Sequence, residues 1–130
     1  MGTGSGGAVA ISALKGGSRF EDNLDNLESA FPLTPGGYFG KPGQGRRHTR
    51  NIESENPARA AAEFTSLASK NPVSAVPIEG KGMIYRMRDG SIVSHRYVSS
   101  SKDGSPTVEL KVKGTSGVKS QKIHFVKKGK

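Results

Sequence analysis

From Thr107 to Lys113 the side chains alternate. Val108, Leu110 and Val112 fall on one side of the chain, and Thr107, Glu109, Lys111 and Lys113 on the other. A period of two describes a strand with one buried face and one wet face. The pattern returns over residues 121–126, where Ile123 and Phe125 oppose Lys122 and His124. Upstream, residues 83–88 and 91–98 flank Asp89-Gly90, a dipeptide that favours a two-residue hairpin turn. These four segments predict an antiparallel meander across residues 83–126. A two-residue turn would set Arg86 opposite Val93 and Ile84 opposite His95.

Before the meander the period is helical. Phe20, Leu24, Leu27 and Phe31 recur at steps of four, three and four, ahead of Pro32. With Ser18 and Glu21 at capping-box spacing, they predict a helix over residues 19–30. Asn56-Pro57 reads as an N-cap followed by proline at the first helical position. Ala60, Ala61, Phe64, Leu67 and Ala68 then form one apolar face, predicting a helix over residues 57–70. The Gly- and Pro-rich stretch between the helices reads as a loop carrying the basic cluster Arg46-Arg47-His48-Thr49-Arg50. Residues 1–17 read as a flexible Gly-rich lead, and residues 18–130 as a single domain. The expected class is α+β, with two N-terminal helices packed on an antiparallel sheet of four to five strands.

Charge is segregated. Residues 1–65 hold seven Lys/Arg and seven Asp/Glu, whereas residues 66–130 hold thirteen and four, so the whole net charge of +9 lies in the second half. A one-signed module attracts polyanions, of which nucleic acid is the commonest.

Strict alternation from the expected turn places Arg86, His95 and Tyr97 on the wet face, together with Thr107, Glu109, Lys111, Lys122 and His124. It puts Arg96 on the core side unless a bulge moves it across. Cutting RNA through its own 2′-hydroxyl requires a base, an acid and cations for the phosphate. His124, His95 and Glu109 are the candidate proton carriers. Arg86, Arg96, Lys111 and Lys122 are candidate phosphate partners. Tyr97 offers a ring for stacking, Ser99, Ser100 and Thr107 offer hydroxyls, and Arg46 and Arg47 offer further backbone contacts. A basic face of this kind also serves a non-catalytic RNA-binding module.

Other chemistries lack their residues. The chain has no cysteine and three histidines without zinc-ligand spacing, so neither a metal nor another cofactor is expected. No phosphate-binding glycine loop and no GxSxG elbow occurs. No apolar run approaches the ~20 residues of a membrane span.

Residues 80–126 resemble the toxin ends of contact-dependent inhibition and polymorphic toxin effectors of bacteria. The resemblance rests on Tyr85-Arg86, the Asp89-Gly90 turn, Arg96, the serines 99–101, Pro106 with Glu109, and the strand Lys122 to Phe125. It implies a fold similar to barnase, the EndoU nucleases and the anticodon-cutting colicins. It further implies a metal-independent endoribonuclease acting on transfer RNA, a cognate immunity protein and, in some relatives, a host translation factor. Such an end would be secreted as the C-terminal part of a larger effector and would act in the target-cell cytoplasm.

Overall fold

The computed structural model describes residues 17–43, 48–97, 105–113 and 117–128. In chain order the elements are α1 (Phe20–Ala30), β1 (Leu33–Thr34), β2 (Tyr38–Phe39), β3 (Lys41–Pro42) and β4 (Thr49–Ser54). Then follow α2 (Pro57–Ala68), β5 (Ser74–Ile78), β6 (Gly82–Arg86), β7 (Ile92–Arg96), β8 (Thr107–Lys111) and β9 (Gln121–Lys127). Strands β1 and β2 form a small sheet of their own. The other seven form one mixed sheet in the order β3-β4-β9-β8-β7-β6-β5.

This corrects the expected architecture, and with it the likeness to the barnase, EndoU and colicin ribonuclease fold. The two helices are not a leading pair, because β1 to β4 lie between them. The sheet has seven strands rather than four or five, and it is not wholly antiparallel: β4 runs parallel to β9, Thr49 beside Lys122 through Ser54 beside Lys127.

Both helices start where local chemistry allows. The Asn56 side chain accepts from the Arg59 backbone N–H at 3.2 Å, and Pro57 takes a position that needs no donor. The first helix is capped one residue later than Ser18 suggested. The Arg19 backbone N–H donates to Asp22 at 2.9 Å. Helix α2 lies against β4, β7, β8 and β9, and α1 packs on α2.

The core fills the space between α2 and the sheet. Phe20 and Leu27 of α1, Ala61, Phe64 and Ala68 of α2, and Val93, Val108, Leu110, Ile123 and Phe125 of the sheet are all buried. Phe64 is its hub, with the rings of Phe39, Phe31 and Phe125 at 5.1, 5.2 and 5.6 Å in edge-on geometry. Each such pair contributes about 0.5–1.5 kcal/mol beyond simple burial.

The loop between the helices hides a strand because its inward residue is an arginine. Arg50 is 7% exposed, and its guanidinium donates to the carbonyls of Phe39 at 3.1 Å and Gly40 at 2.8 Å. It also lies over the Tyr38 ring, 4.9 Å from the centroid. Of the basic cluster, Arg50 is therefore structural, and Arg46 and Arg47 lie outside the described residues.

The β6–β7 hairpin is a second correction. Its loop has three residues, Arg88-Asp89-Gly90, closed by the Met87 N–H on the Ser91 carbonyl at 2.8 Å. Gly90 takes φ +91°, the left-handed residue that completes this turn. The extra residue moves the register by one, so Arg86 faces Ile92, Tyr85 faces Val93 and Met83 faces His95. A slip of one residue turns every side chain of a strand to the other face.

Candidate nucleic-acid interface

Directly opposed residues share a face of a sheet, so the register sorts the candidate residues. On the side away from α2, one row crosses β7, β8, β9 and β4 as Arg96, Thr107, His124 and Asn51. The next row is Ser94, Glu109, Lys122 and Thr49. A third holds Arg86, Ile92 and Lys111 on β6, β7 and β8. Neighbouring strands lie about 4.8 Å apart, so Arg96 and His124, one on each side of Thr107, stand about twice that distance from each other.

Seven of the thirteen candidates therefore share one face: Arg86, Arg96, Thr107, Glu109, Lys111, Lys122 and His124. Arg96 reaches it by the register of the three-residue turn, without a bulge. Arg86, Arg96, Lys111 and Lys122 are exposed, and Glu109 and His124 are half-buried. Among the described residues, none of the four cations is held in an ion pair, and Glu109 is the carboxylate standing among them. Such a surface is strongly attractive to a polyanion. Thr107 is 1% exposed, and its hydroxyl donates to the Ser105 carbonyl at 3.3 Å. It forms the floor between Arg96 and His124 rather than a surface contact.

Two candidates fall elsewhere. His95 lies on the helix side, opposite Met83 and Val108, where it is 8% exposed. Burial pulls its imidazole below the ordinary 6.5, which favours the neutral ring at pH 7. Tyr97, just beyond β7, meets it edge-on at 5.1 Å between centroids. The cause is the turn: the extra residue between the strands exchanges the faces on which His95 and Arg96 were expected. Ser99, Ser100, Arg46 and Arg47 lie outside the described residues.

Ser94, Asn51 and Thr49 are polar members of this face that sequence reasoning missed. Ser94 carried the same alternation signal as Arg96 and was lost to the register. Asn51 and Thr49 reach the face through the parallel β4–β9 pairing, which no local pattern announces.

Among the described residues, no three His, Asp or Glu side chains gather as a metal site requires, and no helix is long and apolar enough to cross a membrane. No protein-family model matches the chain, and no curated protein or solved structure does so either.

Proposed function

We propose that the protein binds RNA across this open sheet face and cleaves it as a metal-independent endoribonuclease. The supporting observation is the row Arg96–Thr107–His124, with Glu109 and Lys122 in the row beside it. Together they bring a guanidinium, an imidazole, a carboxylate and an ammonium onto one surface.

The chemistry follows from these groups. Glu109 takes the proton of a ribose 2′-hydroxyl, and that oxygen attacks the adjacent phosphorus. The bond from phosphorus to the 5′-oxygen breaks, and the His124 imidazolium gives the leaving oxygen its proton. Arg96 and Lys122 hold the non-bridging oxygens as charge grows on them. The products are a 2′,3′-cyclic phosphate and a 5′-hydroxyl. The role expected of a second imidazole passes to the carboxylate, because His95 is on the far side of the sheet.

The resemblance of residues 80–126 to toxin ends extends the reading. Transfer RNA is then the substrate. The domain travels at the C-terminal end of a secreted effector into the target-cell cytoplasm, where a host translation factor assists some such toxins. A cognate immunity protein neutralises it by covering the basic face.

One observation favours a second reading, a non-catalytic RNA-binding module. The open face carries a single imidazole, and Glu109 stands directly opposite Lys122, where it can serve as a charge partner. Incubation of the purified protein with total tRNA in EDTA, followed by denaturing and native gels, separates the two. Discrete fragments ending in cyclic phosphate support the nuclease. Intact RNA with altered mobility supports binding alone, and RNA that neither shifts nor breaks removes both.

A further inference from the structure

A groove of ≈ 410 Å³ opens on the opposite side of the sheet, between the C-terminal half of α2 and strands β6 and β7. It falls within the range of about 300–1,000 Å³ common to small-molecule sites. Thr65, Ser69 and Lys70 line one wall, and Tyr85 and His95 the other.

His95 is the notable group. It is more than nine-tenths buried, yet among the described residues its ring nitrogens have no hydrogen-bond partner; its ring contact is the edge of Tyr97. A buried polar group left in this state calls for a cause, and an unmet ligand is one. The neutral ring that burial favours offers one donor and one acceptor.

The rest of the lining restricts the ligand. The Thr65 hydroxyl donates to the Ala61 carbonyl at 2.8 Å, and the Ser69 hydroxyl to the Thr65 carbonyl at 2.5 Å. Their protons are committed, so both present lone pairs. Lys70 is exposed and supplies a cation at the rim. Tyr85 gives an aromatic wall, and Tyr97, 49% exposed, stands beside His95. A planar heterocycle with both N–H donors and ring acceptors meets the imidazole, the hydroxyls and the Tyr85 ring together. A phosphate attached to it meets Lys70.

We propose that this groove is a second site, which binds a nucleotide with its base against Tyr85 and His95 and its phosphate on Lys70. The nucleotide is either free or an unpaired residue of an RNA. This site does not depend on cleavage at the open face.

The test titrates the whole protein, carrying His124→Ala so that RNA cutting is suppressed, with each of the four nucleoside monophosphates, the matching nucleosides and a short single-stranded oligoribonucleotide. Calorimetry gives the affinities, and the His95 ring resonances report the location. At least one monophosphate is expected to bind and to shift the His95 signals, and Lys70→Gln to weaken the monophosphate by about tenfold while sparing its nucleoside. Ser66 lines the same groove and is exposed, so Ser66→Trp fills it without entering the core and should abolish binding. That variant decides the matter if His95→Ala fails to fold. Tighter binding of the oligonucleotide, lost in Ser66→Trp, identifies RNA as the source; monophosphate binding that the oligonucleotide does not exceed identifies the free nucleotide. If no monophosphate binds, or if Ser66→Trp and Lys70→Gln leave binding unchanged, the proposal is overturned.

Discussion

Thr107 on β8 and His124 on β9 stand directly opposite each other, and this pairing fixes the imidazole on the face away from α2. Val108 and Ile123, the next pair along, turn the other way into the core and are fully buried. The orientation of His124 is therefore tied to the packing of its neighbours. To turn it inward, β9 would have to expose Ile123 and Phe125. His124→Ala should leave the fold intact, with a stability change under about 1 kcal/mol, because the side chain is only half-buried. It should lower tRNA cleavage by about 10²–10⁴-fold, the usual contribution of a positioned proton donor. Thermal melting and a cleavage time course on the same preparation check both halves. Undiminished cutting by the folded variant would remove His124 from the chemistry.

The four cations of the open face make a separate prediction about salt. Each Lys or Arg that neutralises a phosphate contributes a slope of about 0.7–0.9 in the logarithm of affinity against the logarithm of salt. Arg86→Gln, Lys111→Gln and Lys122→Gln should each reduce the slope for tRNA by roughly that amount. Lys41→Gln should not, since Lys41 already sits 3.4 Å from Glu53 at the far edge of the sheet. Filter binding across a salt series measures all four. Equal slopes throughout would mean that the RNA lies elsewhere.

How much of this surface was legible depends on which interactions are local. The alternation in β8 and β9 is local, and it set Thr107, Glu109, Lys111, Lys122 and His124 on one face, as the strand pairing has them. The helical stripes through Phe20 and Leu27, and through Ala61 and Phe64, were equally plain. The hairpin failed because Asp89-Gly90 suits both a two-residue turn and the last two places of a three-residue loop. The choice between them depends on Met87 and Ser91, both buried. Strand β4 failed because its inward Arg50 is satisfied by carbonyls distant in sequence, so a buried residue looked like a solvated one. Strand β5 contains Pro77, which argues against a strand; it is tolerated here because β5 is an edge.

Arg50 should accordingly behave as a core residue. Arg50→Leu leaves the carbonyls of Phe39 and Gly40 without their donors, at about 1–3 kcal/mol for each buried group left unpaired. Arg50→Lys keeps the charge but not the forked geometry, so it should recover only part of the loss. Urea midpoints rank the three proteins. A leucine variant as stable as the parent would show that the guanidinium contributes nothing to tying β4 to the Phe39–Gly40 segment.

Phe64 should be the costliest single truncation in the helix. Its ring meets Phe31, Phe39 and Phe125, which come from three different segments of the chain. Phe64→Ala should cost about 3–5 kcal/mol, a large share of the stability of a domain this size. Phe64→Leu should cost less, since it refills most of the space. Chemical denaturation of both variants is the measurement, and a loss below about 1 kcal/mol in the alanine variant would contradict the packing described.

The burial of His95 makes stability depend on pH. Its proton affinity in the folded protein is depressed, whereas in the unfolded chain it titrates near the ordinary 6.5. As pH falls through that value, the unfolded chain takes up the proton first, and protonation pulls the equilibrium toward unfolding. The stability associated with the neutral ring is thus fully present above about pH 7, and it is lost as pH falls from there toward the folded value. Below that value both states are protonated and the loss stops. Replacing the imidazole by an amide that does not titrate, His95→Gln, should flatten the urea midpoint across this window. Subtracting the two profiles removes the contributions of every group that both proteins keep. If the two profiles run parallel, His95 holds its proton as tightly in the folded chain as in the unfolded one, and its placement beneath α2 is wrong.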